Sequence, residues 1–317
     1  MPGAWHFYYL CSMQTHHVII GLKKLWDRLP GRRRTSRDVA LVLSGGGAKG
    51  WAHIGAIESL IGHGYNITSV AGTSMGALVG GLYAAGKMAE LKQIAESITR
   101  MSMFRIMGFS PGADHIVDDD RLMEMFDGLI GDTCIEDLPI PFCCSASDLV
   151  SGEEKVFRQG SLKTAIRASI SIPMFFKPVC IGNHAYVDGS IHNTLPLDQV
   201  ERKKGDLLVA VNVSGPDQEP DTTFMENCQA QKNKDDNVSW IKKLFRKPEP
   251  SPNYMNLSIR VTKLTVQNNT QMAIRLTPPD ICANIPMDGF SLFDFEKAAE
   301  LISYGHRKMD EILQDRA

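Results

Sequence analysis

Hydrophobic residues in this chain fall into short unbroken runs separated by glycine and polar clusters. The first clear run, VALVLS from Val39, passes directly into Gly45–Gly50, which predicts a buried strand ending in a tight loop. Beyond the loop, Ile54, Ile57, Leu60 and Ile61 recur at helical spacing, and the pattern stops near Gly62 or Gly64. A second short strand, TSVA, leads into Gly72-Thr73-Ser74-Met75-Gly76. The segment GALVGGLYAAG that follows reads as a buried helix of small residues. Further on, PFCCSASDL and EEKVF predict strands and SLKTAIRASIS a helix, while VCIG and HAYVD predict a hairpin about Gly182-Asn183. The run DLLVAVNVS is apolar almost throughout, as in a strand covered on both faces. Residues 256–276 and 294–314 read as closing helices. Strands alternating with helices imply an α/β class, a three-layer α/β/α sandwich around a mostly parallel central sheet.

Two stretches break this rhythm. Residues 1–38 form a basic amphipathic extension. Lys23, Lys24, Arg28, Arg32, Arg33, Arg34 and Arg37 face only Asp27 and Asp38, while Ile19, Ile20, Leu22, Leu25, Trp26 and Leu29 can share one side of a short helix. Such a segment suits attachment to an anionic membrane surface, or serves as a solvated extension. Residues 215–255 are polar and rich in proline (Pro216, Pro220, Pro248, Pro250, Pro252), which reads as a mobile insertion or lid within a domain spanning 39–317.

Composition narrows the function classes. A net charge of −2 gives no global bias toward nucleic acid. Seven cysteines, with Cys143 and Cys144 adjacent, do not resemble a paired disulfide framework and imply reduced thiols in a cytoplasmic or cytosol-facing protein, possible membrane contact being peripheral. No metal-ligand spacing appears, and no apolar run reaches the roughly 18 residues of a membrane span.

Two glycine-rich loops carry the chemistry. Gly72-x-Ser74-x-Gly76 has the form of a nucleophile elbow, in which a serine on a sharp strand-to-helix turn needs glycine two residues to either side. The helix that follows aims its N-terminal dipole at developing negative charge. Gly45-Gly46-Gly47-Ala48-Lys49-Gly50 exposes backbone N–H groups suited to an anion, either a dinucleotide pyrophosphate or a transition-state oxyanion. The dinucleotide reading needs an acidic residue about 20 positions on, where this chain has the serine elbow instead. Lys49 either holds an anionic headgroup or anchors the loop. Among the nine histidines none after Ser74 has strong motif support, and Asp188, which ends a strand and precedes Gly189, is a better candidate than His192 or His306. Pro173, Phe175, Phe176 and Pro178 either line an acyl pocket or pack locally. Met101, Met103, Met107, Met123 and Met125 either cover an acyl chain or belong to ordinary core.

Taken together, SGGGAKG, GTSMG about 22 residues later, RASISIPMFFKP and VDGSIHNTLP resemble, in order, the four sequence blocks of the patatin-like phospholipases. The likeness covers roughly 39–213 well and the C-terminal third weakly. It implies a serine acyl hydrolase with a Ser74/Asp188 dyad, an oxyanion hole from the amides of Gly45, Gly46 and Gly47, and no cofactor. It further implies phospholipid, lysophospholipid or other acyl-ester substrates. Ser190 departs from the usual glycine or alanine after Asp-Gly. Three rival readings stand beside it: a non-catalytic lipid-binding regulatory protein, a nucleotide-binding oxidoreductase, and a hydrolase with a hidden catalytic histidine.

Overall fold

The computed structural model describes residues 37–99, 119–173, 175–218, 252–286 and 289–316. The basic extension therefore lies outside the described residues except for Arg37 and Asp38. The insertion is described only at its two ends, and Met101, Met103 and Met107 lie outside as well.

In chain order the elements are β1 (Asp38–Leu43), α1 (Ala52–Gly62), β2 (Asn66–Thr73), α2 (Met75–Ala84), α3 (Met88–Ser97), α4 (Asp119–Ile130), β3 (Phe142–Asp148), β4 (Glu154–Phe157), α5 (Leu162–Ser169), β5 (Val179–Ile181), β6 (His184–Asp188), β7 (Leu207–Gly215), α6 (Pro252–Leu276), β8 (Ile281–Pro286) and α7 (Ala298–Gln314). The strands form one sheet in the order β5-β6-β3-β2-β1-β7-β8, with β4 also paired to β3. Strands β3, β2, β1, β7 and β8 run parallel, and β4, β5 and β6 add an antiparallel edge. The expected sandwich is thus present. Strand β8 was not anticipated, although Ile281, Ala283 and Ile285 are buried in the alternation a strand requires.

Period-2 alternation divides the core. Val39, Leu41 and Leu43 of β1 join the larger cluster with α1, α2 and α7, including Ile54, Leu78 and Leu301. Ala40 and Val42, with Ala210 of β7, face the other layer, where Leu195, Leu197 and the α6 residues Ala273 and Ile274 cover the sheet. The paired cysteines obey the same rule. Cys143 belongs to one face and Cys144 to the other, both buried, and burial pushes both thiols up (Cys143 to about 11). Adjacent strand positions point in opposite directions, so these two sulfurs pack as small apolar groups.

Helices α1 and α7 cross at backbone contact. A Cβ on Gly55 would strike the carbonyl of Ile302, and one on Gly305 would strike that of Ala52. Gly55→Ala gains about 1 kcal/mol of helix propensity but overpacks this crossing, which typically costs about 1–3 kcal/mol. The variant is expected to be net destabilised. A urea midpoint equal to or above that of the parent would contradict the close crossing.

Candidate active site

The carboxyl end of a parallel sheet is where open α/β folds expose their loops. Here three sequence blocks meet at that edge. Thr73 of β2 is in register with Ser145 of β3, and Ala146 of β3 with Asp188 of β6. Register alone therefore puts Asp188 two strands from the residue before Ser74. The glycine loop leaves β1, the strand on the other side of β2.

Ser74 has φ 54° and ψ −123°, the one positive φ outside glycine among the described residues. Such backbone costs on the order of 1–3 kcal/mol and persists only when its surroundings enforce it. Gly76 lies directly against the carbonyls of Leu43 and Ser44, and Gly72 against the carbonyl of Gly76, so neither place admits a Cβ. The Ser74 N–H donates to Ser169 Oγ at 2.9 Å, and Ser169 Oγ donates onward to the Ser145 carbonyl at 2.6 Å. The Ser74 carbonyl accepts from the N–H groups of Ala77 and Leu78, which starts α2.

Asp188 and Ser74 are both buried, 4% and 3% exposed. Burial raises the Asp188 pKa above the usual carboxylate range, against the pull of the Ser74 hydroxyl and of the Ser190 backbone and side chain. Oδ1 accepts from the Ser190 N–H at 2.8 Å, whereas Oδ2 is buried without a well-formed hydrogen bond. A buried carboxylate so sparsely bonded is a stronger base than one in water. The Asp188 N–H donates to the Ser171 carbonyl at 2.9 Å. One block, Arg167–Ser171, therefore holds both residues: Ser169 by the Ser74 amide and Ser171 by the Asp188 amide. Arg167 braces the block by donating to Ser171 Oγ at 2.6 Å and lying over the Phe176 ring. Sequence reasoning identified the block but not these two serines. Their signal is only serine at alternate positions at the end of a helix.

The glycine loop is pinned from several sides. Ser44 Oγ accepts from the Val213 N–H, and Ser214 Oγ donates to the Gly45 carbonyl at 2.8 Å. His53 Nε2 hydrogen-bonds the Ser44 carbonyl at 2.8 Å, and since a carbonyl only accepts, that nitrogen carries the proton. Burial lowers the His53 pKa to about 4, with the Ser44 bond opposing, so the ring is neutral near pH 7. A Cβ on Gly45 would stand 3.3 Å from Ser74 Cβ and on top of Ser190 Oγ, so Gly45 is the contact point of the three blocks. Gly189 likewise lies flush against the Ser145 carbonyl.

One expectation for this loop is corrected. The Gly45 N–H donates to the Thr194 carbonyl at 3.0 Å and is not open to an anion. The N–H groups of Gly46 and Gly47 have no such partner among the described residues. Gly47, at φ 60°, lies against the Leu292 carbonyl, and Gly50 against Met75. Ala48 donates its N–H to Leu292. Lys49 is 1% exposed, which counts against the headgroup role.

The remaining candidates lie elsewhere. His192 spends its ring on Ser147 Oγ at 2.8 Å and the Gly152 carbonyl at 3.0 Å, and His306 is half exposed beside Asp310. Phe175 packs on Phe293 and Phe176 on Arg167, while Met123 packs against the main core. Among the described residues no cluster of His, Cys, Asp or Glu could hold a metal, and no helix is long and apolar enough to cross a membrane.

Comparison with known proteins gives two related sequences and one structural likeness. An uncharacterized NTE family protein of Mycobacterium bovis is 36% identical over 215 residues, 68% of this chain and 58% of that protein. The lysophospholipase NTE1 of Debaryomyces hansenii is 27% identical over 290 residues, 88% of this chain and 18% of that protein. VipD from Legionella pneumophila superposes with a TM-score of 0.48 at 15% identity, covering 87% of this chain and 66% of that one. The chain thus spans less than two thirds of the length of these relatives. The patatin-like phospholipase pattern matches residues 41–200, about half the chain and the part that carries the glycine loop, Ser74 and Asp188. The chain belongs to the patatin-like phospholipase family.

Proposed function

We propose that this chain is a lipid acyl hydrolase that cleaves carboxylic esters through an acyl-serine intermediate, with Ser74 as nucleophile and Asp188 as its base. The observation that carries this reading is the meeting of the strained Ser74 with a buried, sparsely bonded Asp188 carboxyl. Asp188 takes the Ser74 proton as Oγ attacks the ester carbonyl. The N–H groups of Gly46 and Gly47 receive the developing oxyanion, helped by the N-terminal dipole of α2. Asp188 then returns the proton to the leaving alcohol. A water, deprotonated by the same carboxylate, releases the fatty acid and restores Ser74. The family and the lysophospholipase relative favour phospholipid or lysophospholipid substrates. The basic segment 1–38 would add peripheral attachment to anionic membranes.

A fluorophosphonate probe is expected to label Ser74 alone, and Ser74→Ala to abolish hydrolysis while the chain stays folded. Mass mapping of the adduct to another serine would sink the assignment.

Asp188→Asn is expected to lower the rate by about 10⁴-fold or more, because dyad members act as a unit, whereas His192→Ala and His306→Ala change it little. The parent rate should fall as pH drops through the raised Asp188 pKa, since the base must be ionised. Stability runs the opposite way. A carboxyl with a raised folded pKa stabilises the fold below its unfolded pKa and loses that contribution as pH rises through the folded one. Asp188→Asn should therefore melt higher than the parent near pH 7, with the gap closing in acid. A lower melting temperature at pH 7 would show that the buried charge is compensated after all.

Removing residues 1–37 should leave hydrolysis of soluble short-chain esters nearly intact but weaken binding to anionic vesicles. Each basic residue contributes roughly 1 kcal/mol at such a surface, less with added salt. Vesicle binding that is indifferent to both truncation and salt would refute the anchor.

A further inference from the structure

Helix α6 wears apolar side chains on its solvent side. A surface helix ordinarily turns its apolar stripe to the core. Here Leu257, Val261, Leu264 and Met272 recur on one side of the helix and are all exposed, Val261 by 52% and Met272 by 51%. Much of the inward side is polar instead. Gln267 donates to the Gly215 carbonyl at 3.2 Å and to Asp217 at 3.0 Å, and Arg260 and Lys263 pair with Asp217. Thr270, also buried, donates to the Gln267 carbonyl, and among the described residues of the helix only Ala273 and Ile274 join the apolar layer beneath the sheet.

The helix contains no aspartate or glutamate, and its exposed charged residue is Arg275. Ser258, Thr262, Thr265, Asn268 and Gln271 flank the ridge with uncharged polar groups. The ridge is also tied to the site. Asn269 Nδ2 donates to the His192 carbonyl at 2.8 Å, next to the exposed Ile191 and close in sequence to Asp188. The His192 ring in turn holds the β3–β4 turn, whose tip presents Leu149 and Val150 to solvent.

We infer that the outer side of α6, with Ile191 and the β3–β4 tip, seats the protein on a lipid bilayer surface. This rests on the reading of the substrate as a lipid ester, and it is separate from the basic N-terminal segment. A bilayer surface accepts apolar side chains at the acyl boundary and uncharged polar ones among the headgroups. The absence of carboxylates on α6 removes repulsion from anionic lipids along the helix, where Arg275 adds attraction, and leaves Glu153 at the β3–β4 tip as the exposed carboxylate of this surface. The hydrogen bond from α6 to the loop after Asp188 links the seated helix to the loop that carries the base.

The test uses the full chain and phosphatidylcholine vesicles, sedimented in about 1 M salt, where a Debye length of ~3 Å screens the charges of the basic segment, with residues 1–37 present in parent and variant alike. The parent should bind. Val261→Asp/Leu264→Asp should bind at least about 10-fold more weakly, because it places two charges on the ridge that would enter the bilayer. Hydrolysis of a soluble short-chain ester should be unchanged by this pair. A parent that binds vesicles but hydrolyses no ester would count against the proposed function and leave the docking surface standing. Should the aspartates disturb folding, judged by circular dichroism, Val261→Ser/Leu264→Ser must weaken binding in the same direction. Failure of the parent to bind, or equal binding by a folded variant, overturns the inference. So does loss of a dimer in sedimentation velocity on substitution, which would assign the ridge to a second copy of the chain.

Discussion

The left-handed backbone of Ser74 is the constraint around which this end of the sheet is arranged. An alanine-like Cβ at Gly72 or Gly76 would collide with backbone, so the turn can close only where side chains are missing. Closing it exposes one amide to Ser169 and directs one hydroxyl toward Asp188. The strain of about 1–3 kcal/mol is spread over elements that are themselves well buried: the end of β1, the start of α2 and the Arg167–Ser171 block. Relaxing the turn would break contacts in all three at once, and this makes the conformation rigid.

Asp188 carries the second cost. A carboxyl buried with one clear hydrogen bond resists ionisation, and the fold gives it little compensation. The same feature that weakens the fold near neutral pH makes the group a better proton acceptor. His53 is the complementary case. It is buried and kept neutral, and it serves only to fix the Ser44 carbonyl where the glycine loop begins. Lys49 is likewise buried in the loop. Under the proposed mechanism Asp188 takes the proton, while His53 is held neutral beside the glycine loop.

Ser190 gives the departure from the family's Asp-Gly-Gly or Asp-Gly-Ala block a physical place. Its Oγ fills the space beside Gly45, where a glycine at 190 would leave a gap, and it touches the Asp188 carboxyl. Substitution at either position is therefore felt at the other.

The sequence by itself determined the parts whose signals are local. Alternation and apolar runs gave most of the strands and helices, though not α3 or α4, and GxSxG between a strand and a helix located Ser74, because tight turns need glycine whatever surrounds them. It also located Asp188 at a strand end and the glycine loop after β1. Strand β8 escaped notice because a short run after Pro278-Pro279 is ambiguous until β7 lies beside it. Only tertiary structure decided which groups are free to act. Nothing local in Gly45 shows that Thr194 takes its amide, nothing in Lys49 that it is buried, and nothing in Ser169 or Ser171 that they clamp Ser74 and Asp188. Those outcomes depend on hydrogen-bond partners far away in sequence. A backbone amide or side chain acquires its chemical role from the partner it meets across the fold, and that partner is not encoded next to it.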